Sequence, residues 1–544
     1  MSEPTTQRLS PSGHVDTFAR ENLPPLDDWP VLVGLEGLGY PERLNAAVEL
    51  VESTIAKHGP DRPALLGKDQ RWSYGELADI VQQAANVLVS AGVVPGNRVL
   101  LRGPNNPWLA IAWLAVVRVG GVVVTTMPML RAAELEKIAE IARVQFALVD
   151  HRYLEEWEGV GAFTGTTIPF GGQSDDDLVA QCRAASAVNA PADTSADDVC
   201  LLAFTSGTTG KPKATMHFHR DVLAIADTFS AHIVKPTADE VFAGSPPIAF
   251  TFGLGAIVIF PLRVGASSVL LEAASPPALL EAIPEYGITC LFTAPTAYRA
   301  MLPMVANADL SSLRRCVSAG ETLPAATWQA WFDATGIRLI DGIGATELLH
   351  IFISASDDDI RPGTTGRPVP GFVAEIVDEN LMALPPGTPG LLAVRGPVGC
   401  RYLADDRQHV YVRGGWNITG DVYLMDEAGY FHYQSRADDM IVSSGYNIAA
   451  PEVEGALLTH PAVAETAVVG VADIDRGMVV KAFVVVNAGV EADGALATAL
   501  QDHVKQTIAP YKYPRQIEFV DELPKTATGK LQRFRLKEIT SDGH

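Results

Sequence analysis

Residues 205–213 read Thr205-Ser206-Gly207-Thr208-Thr209-Gly210-Lys211-Pro212-Lys213, a run of small hydroxyl and glycine residues that ends in two lysines. The run follows the apolar segment Val199 to Phe204, which predicts a buried strand. Glycine lets the backbone turn tightly and bring its N–H groups against an anion, and the lysines supply positive charge. The Walker spacing is absent, and Pro212 removes an amide donor after Lys211. The stretch therefore predicts a phosphate-binding loop of another type, with a flexible surface turn as the alternative.

This loop resembles the phosphate loop of the adenylate-forming superfamily, which comprises acyl- and aryl-CoA synthetases, peptide-synthetase adenylation domains and luciferases. The resemblance implies that the loop binds the phosphates of ATP. The residues concerned are Thr205, Ser206, Gly207, Thr208, Thr209, Gly210 and Lys211.

Length, charge and cysteine spacing limit the classes of protein. A chain of 544 residues exceeds what one core usually holds, so about two to four domains or subdomains are expected. A net charge of −23 without a basic stripe disfavours nucleic acid as a partner, and no apolar run is long enough to span a bilayer. The five cysteines are widely spaced and the N-terminus lacks a signal-peptide pattern. We therefore expect a cytoplasmic protein with reduced thiols.

The pattern of elements predicts an α/β fold. Strands and helices alternate up to residue 149 and again from Arg220 to about Ile340, which indicates mostly parallel, doubly wound sheets. Ser73 and Glu76 form a capping box at the start of an amphipathic helix, and residues 108–117 form a buried helix. Residues 132–142 predict a further helix.

The second half of the chain has a different pattern of predicted secondary structure. Short β-runs between Thr364 and Asp421, separated by Pro-Gly turns, predict a small antiparallel barrel. We expect an N-terminal ATP- and acid-binding domain at residues 1–435, a hinge at residues 436–439 and a small C-terminal α+β lid domain at residues 440–544. The proline-rich residues 1–40 are expected to wrap the surface without a core of their own.

A bound polyphosphate needs a cation, and Glu347 is the candidate ligand. It follows a predicted strand at Arg338–Ile340 in a Gly-rich turn and precedes a helix-like segment. A single carboxylate is enough, because Mg²⁺ is held largely by phosphate oxygens and water. Taken alone, Glu347 is more simply an acid at a helix start. The superfamily carries a Thr-Glu pair in such a turn, which Thr346-Glu347 matches, so the resemblance implies Glu347 as the metal ligand.

Other motifs follow in the order of the superfamily. Trp416-Asn417-Ile418-Thr419-Gly420-Asp421 matches the motif whose aspartate binds the ribose, although Asp421 alone is simply a turn residue. Arg436 matches an arginine that also touches the ribose, and Ala319-Gly320-Glu321 resembles the segment beside the adenine. Outside the phosphate loop, the resemblance thus implies these nucleotide-binding residues: Gly320, Glu321, Asp341, Gly342, Ile343, Thr346, Asp421 and Arg436.

Lys530 ends the segment Pro524-Lys525-Thr526-Ala527-Thr528-Gly529-Lys530 and is, by itself, an ordinary tail lysine. Its Thr-Gly-Lys form matches the catalytic lysine of the superfamily. A substrate carboxylate that attacks the α-phosphate joins two anions, and a mobile lysine stabilises that charge. The resemblance implies an acyl-adenylate and pyrophosphate first, then attack by the thiol of CoA, with rotation at Asp438 between the two steps. Gly445 resembles a glycine that lines the pantetheine tunnel and is equally well a plain turn.

The residues around Glu347 also bear on the acid. Asp341 to Phe352 resembles the same run in benzoate-CoA ligases, which share the aliphatic Ile343 where an aromatic residue usually stacks on adenine. Residues 14–20 resemble the opening of 2-aminobenzoate-CoA ligases. The resemblance implies that an aryl slot is lined by Phe252, Gly344, His350 and Ile351. On the residues alone, Phe252 is more simply core. Residues 248–255 hold no carboxylate for the ammonium of an amino acid, which disfavours a peptide-synthetase domain.

The sequence thus predicts an AMP-forming aryl-CoA ligase that uses ATP, Mg²⁺ and coenzyme A on a small carboxylic acid, as a monomer or homodimer. A CoA ligase for short or medium aliphatic acids, a non-catalytic acyl or nucleotide sensor and a luciferase-like oxygenase remain alternatives. His217 and His219 are interpreted as structural rather than as metal ligands, since no acidic or cysteine partner was identified for them.

Overall fold

The computed structural model describes residues 9–541 except 162, 206–211, 438–440, 444–445, 474–476, 509 and 526–530. Its strands are β1 (Pro63–Gly67), β2 (Gln70–Ser73), β3 (Arg98–Arg102), β4 (Val122–Thr126), β5 (Phe146–Asp150), β6 (Thr166–Phe170), β7 (Val199–Thr205), β8 (Lys213–Phe218), β9 (Val241–Gly244), β10 (Ser267–Val269), β11 (Cys290–Thr293), β12 (Arg315–Ala319), β13 (Leu339–Gly344), β14 (Ile351–Ser354), β15 (Arg367–Pro368), β16 (Val373–Val377), β17 (Gly390–Arg395), β18 (Val412–Arg413), β19 (Trp416–Met425), β20 (Phe431–Arg436), β21 (Ile441–Ser443), β22 (Tyr446–Ile448), β23 (Val463–Asp473), β24 (Gly477–Val486) and β25 (Gln516–Phe519).

The α-helices are α1 (Phe18–Glu21), α2 (Ala46–Leu50), α3 (Glu52–His58), α4 (Tyr74–Ser90), α5 (Pro107–Arg118), α6 (Ala132–Ala142), α7 (Leu154–Glu158), α8 (Leu178–Ala184), α9 (His219–Ile225), α10 (Thr251–Leu254), α11 (Phe260–Val264), α12 (Pro276–Tyr286), α13 (Pro295–Val305), α14 (Ala325–Thr335), α15 (Gln408–Tyr411), α16 (Ala450–Leu458), α17 (Gly494–Thr507) and α18 (Arg533–Ser541). Ala226–Val234 and Gly255–Ile259 are wound as π-helix.

Two mostly parallel sheets form the bulk of the chain, which confirms the predicted α/β class. A six-stranded sheet has the order β6-β5-β3-β4-β7-β8, and only its edge strand β8 runs antiparallel to its neighbour. A nine-stranded sheet has the order β15-β14-β13-β12-β11-β9-β10-β1-β2, with antiparallel pairs confined to its two ends. The carboxyl ends of β7, β12 and β13 carry the predicted nucleotide-binding motifs.

Local sequence explains the helices that pack on these sheets. In the predicted capping box of α4, the hydroxyl of Ser73 accepts the amide of Glu76 at 3.2 Å and the Glu76 carboxylate accepts the amide of Ser73 at 2.8 Å. Helix α5 is buried along its whole length and packs on α4 and α2, as its uninterrupted apolar run predicts. Among the residues that the structure describes, no helix has both the length and the apolar character needed to cross a membrane.

The N-terminal segment from residue 9 lies on the six-stranded sheet and contributes side chains to its core. Asp198 accepts the amide of Gly13 at 2.8 Å, and Asp16 forms an ion pair of 2.8 Å with Arg98. The Trp29 ring is buried 5.8 Å from the ring of Phe218. The segment therefore has no core of its own, as predicted, but it completes the core of the sheet beneath it.

Two smaller sheets follow. The region predicted as a small antiparallel barrel contains an antiparallel sheet of order β16-β17-β19-β18, with β20 beside β19, and no strand pair among the described residues closes this sheet into a barrel. Residues beyond 440 carry their own sheet, ordered β22-β21-β24-β23 with β25 beside β24, and α16 and α17 share its apolar core. The limits 1–435, 436–439 and 440–544 stay predictions, because Asp438 lies outside the described residues. All five cysteines are unpaired and buried.

Candidate active site

The predicted phosphate loop joins β7 to β8, which are antiparallel neighbours at the edge of the six-stranded sheet. Thr205 at the end of β7 pairs with Lys213 at the start of β8, so the two ends of the loop are held together. Residues 206–211 between them lie outside the described part of the chain. The Thr205 hydroxyl is buried and has no hydrogen-bond partner among the described residues. A buried hydroxyl of this kind suits a ligand oxygen.

Glu347 lies where this hairpin meets the nine-stranded sheet. Its side chain is 8% exposed, and its Oε1 is 2.8 Å from Nζ of Lys213. The Tyr402 hydroxyl donates to the same oxygen at 2.5 Å, and Lys213 also contacts that hydroxyl. Burial alone raises the pKa of Glu347, but the charge and hydrogen bond of Lys213 and the hydrogen bond of Tyr402 outweigh it and lower that pKa. Glu347 is therefore a buried, ionised carboxylate.

The turn that carries Glu347 differs from the predicted strand and helix-like segment. Strand β13 runs on to Gly344, and Thr346–Leu348 is a single 3₁₀ turn before the antiparallel strand β14. A Cβ on Gly344 would lie 2.8 Å from the carbonyl oxygen of His350, so glycine is required where the two backbones cross. Leu349 has a positive φ of 66°, which is unusual for a leucine.

The residues around Glu347 fit a magnesium ion that is shared with a nucleotide. Among the described residues, no three His, Cys, Asp or Glu side chains gather as a metal site. Mg²⁺ bound through phosphates needs only one or two protein carboxylates, because phosphate and water supply the remaining oxygens. Glu347 provides one ionised carboxylate. The hydroxyl of Thr205, at the start of the phosphate loop, is a second hard oxygen and has no hydrogen-bond partner among the described residues.

The predicted ribose residues face each other across β19 and β20. Asp421 is opposite Arg436 in the strand register, and Nη1 of Arg436 lies 2.8 Å from Oδ1 of Asp421. Burial raises the pKa of Asp421, and Arg436 opposes that shift. Gly420 has a φ of +77°, and a Cβ there would lie 3.0 Å from Nη2 of Arg436. The glycine therefore lets the arginine approach the carboxylate.

The predicted adenine residues lie at the ends of β12 and β13. Asp341 is paired with Ser318 across these parallel strands, and Gly320 and Glu321 follow directly after β12. Oδ1 of Asp341 is buried with no hydrogen-bond partner in the described part of the chain. Burial raises the pKa of Asp341 to about 7. An acceptor of this kind suits an amino group of a bound base.

His350 occupies a pocket of aromatic rings. Its ring centroid lies 4.6 Å from that of Phe260, 5.2 Å from that of Phe229 and 5.6 Å from that of Phe252. The Nε2 atom is 3.4 Å from the carbonyl oxygen of Phe252, and Nδ1 is buried without a hydrogen-bond partner in the described residues. Burial lowers the pKa of His350 to about 3, so the imidazole is neutral at pH 7.

The other two predicted pocket residues are joined by the strand register. Gly344 on β13 pairs with Ile351 on β14. The Ile351 side chain covers Gly342, because a Cβ on Gly342 would lie 2.6 Å from Cγ2 of Ile351. Three of the four predicted residues of the aryl slot, Gly344, His350 and Ile351, therefore lie at the start of β14, and Phe252 on α10 contacts them through the ring of His350.

Some site residues were not found from the sequence. Tyr402 lies in no recognisable motif, and only the fold brings it to Glu347. Phe229 and Phe260 are likewise ordinary apolar residues in the sequence. Of the predicted site residues, Lys530, Gly445, Asp438 and Ser206 to Lys211 lie outside the described part of the chain.

Comparison with known proteins agrees with this arrangement. Residues 51–402 match the family described as AMP-binding enzyme, and residues 452–530 match the AMP-binding enzyme C-terminal domain. The benzoate-CoA ligase of Thauera aromatica is 35% identical over 91% of this chain and 96% of its own length. The 3-hydroxybenzoate-CoA ligase of Aromatoleum sp. (strain CIB) is 34% identical over 92% and 98%. A crystal structure of an anthranilate CoA ligase in complex with anthranoyl-AMP has a TM-score of 0.88 at 34% identity, and covers 92% of this chain and 98% of that one.

Proposed function

We propose that this chain, which belongs to the AMP-binding enzyme family and is an AMP-forming CoA ligase, activates an aromatic carboxylic acid of the benzoate or 2-aminobenzoate type. The observation that carries the proposal is the cluster of aromatic rings around His350, in which a neutral imidazole packs among Phe229, Phe252 and Phe260. Flat rings pack edge-to-face or offset against such rings, so a benzoate ring suits a site beside this cluster. The names of the relatives support the same class of acid.

The first half-reaction that we propose joins the acid to the α-phosphate of ATP with loss of pyrophosphate. Glu347 and Thr205 would hold Mg²⁺, which when bound neutralises phosphate charge and polarises a phosphoryl oxygen. Lys213 keeps Glu347 ionised and brings a positive charge to the end of the phosphate loop. Lys530 would stabilise the charge that develops between the attacking carboxylate and the phosphate.

Asp341, Asp421 and Arg436 are the residues that we assign to adenosine. The buried oxygen of Asp341 would accept the amino group of adenine, and Asp421, aligned by Arg436, would accept the ribose hydroxyls. Gly320, Glu321, Gly342, Ile343 and Thr346 would complete the surface around the base and the phosphates. These contacts orient the nucleotide, which lowers the entropic cost of reaching the transition state.

In the second half-reaction the thiol of coenzyme A attacks the acyl-adenylate and AMP leaves. We propose that residues 440–544 act as a lid that turns about a hinge at residues 436–439, with Asp438 as the pivot and Gly445 beside the pantetheine. The separate sheet and apolar core of the residues beyond 440 support a body that moves as a unit.

His350 gives a reason to include 2-aminobenzoate. A carbonyl oxygen only accepts hydrogen bonds, so Nε2 of His350, which faces the carbonyl of Phe252, carries the proton. In the neutral ring Nδ1 is then an acceptor, and it has no partner among the described residues. The amine of 2-aminobenzoate is an uncharged donor that enters an apolar pocket without a counter-ion, so it suits this acceptor.

The test is pyrophosphate release with ATP and Mg²⁺ across a panel of acids, with and without coenzyme A. We expect turnover with benzoate or 2-aminobenzoate, and multiple turnovers only when coenzyme A is present. Release with hexanoate but not with benzoate would overturn the aromatic assignment and leave an aliphatic CoA ligase. Release that is independent of coenzyme A over many turnovers would contradict the second half-reaction.

A further inference from the structure

Strand β8 presents one row of side chains to the turn that carries Glu347. Because side chains alternate along a strand, Lys213, Thr215 and His217 share a face. At the start of the row, Lys213 forms the ion pair with Glu347. At its end, Nε2 of His217 lies 2.8 Å from the carbonyl oxygen of Thr346. Since a carbonyl oxygen only accepts hydrogen bonds, Nε2 is the donor. The row therefore contacts the turn twice, at the side chain of Glu347 and at the main-chain oxygen of Thr346.

A buried acid stands behind His217. Oδ2 of Asp221, at the start of α9, lies 3.8 Å from Nδ1 of His217. The same oxygen accepts the amide of Phe218 at 3.0 Å and Nη1 of Arg401 at 2.8 Å. His217, Asp221 and Arg401 are all fully buried. His217 thus has an acidic partner, which the sequence interpretation did not identify.

The arginine of this network lies against two aromatic rings. Its guanidinium carbon lies 4.1 Å from the ring centroid of Phe218 and 4.6 Å from that of Trp29. Burial alone raises the pKa of Asp221, but Arg401 first, and then His217 and Arg220, outweigh it and lower that pKa to about 2. Asp221 is therefore ionised at neutral pH.

The network reaches the turn by a second route. The amide of Met216 donates to the carbonyl of Arg401 at 2.7 Å, and Thr215 forms an isolated bridge with Tyr402. The backbone that carries Arg401 therefore also places the Tyr402 hydroxyl against Glu347. A buried ion pair that only filled space is often no better than apolar side chains of the same volume. Here the ion pair orients the turn, because His217 on one side and Tyr402 on the other contact Thr346 and Glu347.

We propose that His217 is a positioning residue for the nucleotide site: supported from behind by Asp221 and Arg401, it binds the carbonyl of Thr346 and fixes the direction in which Glu347 presents its carboxylate to the divalent cation of the bound nucleotide. This inference rests on the proposed role of Glu347. It assigns no proton transfer to His217, which touches neither substrate nor cofactor.

Two variants separate the donor to Thr346 from the contact with Asp221. Gln in place of His217 puts an amide nitrogen close to the position of Nε2, and Asn puts one close to the position of Nδ1. The measurement is equilibrium binding of Mg·ATP, compared with binding of ATP in EDTA, together with the thermal midpoint of the free protein. We expect His217→Asn to weaken Mg·ATP binding at least about 10-fold and ATP binding in EDTA less than about 2-fold. His217→Gln is expected to stay within about 3-fold of wild type in both. His232→Gln, at an exposed position, is the control.

Equal Mg·ATP affinity in the two variants would overturn the inference. So would a loss in His217→Asn that is as large in EDTA as with Mg²⁺, because that is the mark of a general packing defect. Glu347→Gln distinguishes this inference from the proposed function. If it binds Mg·ATP as tightly as wild type, the proposed role of Glu347 is overturned. If it loses affinity while His217→Asn does not, only the role of His217 is overturned.

Discussion

Nζ of Lys213 lies 2.8 Å from Oε1 of Glu347. This ion pair joins the hairpin of the phosphate loop, on the six-stranded sheet, to a turn of the nine-stranded sheet. Both side chains are mostly buried, with 19% and 8% of their surface exposed. In a partly buried setting the pair is screened less by salt than a surface pair is. Substitutions near it are therefore expected to change catalysis as well as stability.

Tyr402→Phe removes the hydroxyl that donates to Glu347 and keeps the ring. A hydrogen bond to a charged group contributes about 1.5–3 kcal/mol, so we expect kcat/KM for pyrophosphate release to fall roughly 10- to 100-fold. Tyr411→Phe is the matched control, since the Tyr411 hydroxyl is buried near by and has no hydrogen-bond partner in the described residues. Equal rates in Tyr402→Phe and Tyr411→Phe would contradict the assignment.

Lys530→Ala is expected to slow acyl-adenylate formation by about 100-fold or more, because an electrostatic contact to the transition state is lost. The reaction of a supplied aroyl-adenylate with coenzyme A should stay within about 3-fold of wild type. Lys525→Ala is the control in the same segment, because Lys525 forms an ion pair of 2.5 Å with Glu465. A Lys530→Ala enzyme that still releases pyrophosphate at the wild-type rate would remove Lys530 from the mechanism.

His350→Ala tests whether Nδ1 recognises an ortho amine. A neutral hydrogen bond contributes about 0.5–1.5 kcal/mol, so the ratio of kcat/KM for 2-aminobenzoate to that for benzoate should fall roughly 3- to 10-fold. Both values are measured by pyrophosphate release at pH 7, where the imidazole is neutral. His350→Phe, which keeps a ring in the pocket, is expected to change the ratio in the same direction. An unchanged ratio in both variants would exclude this contact.

Asp341→Asn is expected to stabilise the free protein, and more strongly at pH 8 than at pH 5. Burial raises the pKa of Asp341 from its ordinary value of 3.8 to about 7 in the folded protein. The folded state therefore binds more protons than the unfolded state between these values, so this group lowers the free energy of unfolding as pH rises through that window.

Urea unfolding at the two pH values measures this effect. The advantage of Asp341→Asn over wild type should be roughly 2.5 kcal/mol larger at pH 8 than at pH 5, because the group titrates over about two pH units of this window and one pKa unit corresponds to about 1.4 kcal/mol. Asp175→Asn, at an exposed position, should show no such difference. An advantage of the same size at both pH values would mean that Asp341 is ionised throughout.

Gly344→Ala places a Cβ 2.8–3.0 Å from main-chain atoms of His350 and Ile351. Backbone atoms cannot rotate away, so β14 must shift at the point where it enters the proposed aryl slot. We expect kcat/KM to fall at least about 10-fold and the thermal midpoint to drop by several degrees. Gly455→Ala in helix α16, where nothing lies within 4 Å of the added atom, should instead be neutral or slightly stabilising. Full activity in Gly344→Ala would show that the strand can adjust.

Local signals predicted much of the fold and the nucleotide motifs. The bounds predicted for the helix at residues 132–142 are those of α6, because its apolar positions repeat at helical spacing. The strand before the phosphate loop was predicted as residues 199–204 and is Val199–Thr205. Helix α6 has one apolar face and β7 is a continuous apolar run. Both patterns can be recognised in the sequence without knowing which elements pack against them.

The parts that depend on distant partners were not predictable. Gly342 and Gly344 belong to a Gly-rich run that reads as a turn, yet the run is strand, because Ile351 of β14 packs over Gly342. Tyr402 is an ordinary tyrosine until the fold brings it to Glu347. The same is true of Arg401, whose buried charge is explained only by Asp221 and two aromatic rings. No short window of sequence contains such pairs.

Trp29 rests on Arg401, and the side chain of Gln408 donates to the carbonyl of Asp28 across 380 residues of chain at 2.8 Å. The ribosome releases the first of these partners long before the second. The N-terminal segment can contact the six-stranded sheet once residues up to 218 have been synthesised. Its contacts at Asp28 and Trp29 are completed only when residues 401–408 emerge, after about three quarters of synthesis. The contacts that join Asp28 and Trp29 to residues 401–408 therefore form late in translation. A chain truncated anywhere between Trp29 and Gln408 has the first of these partners without the second.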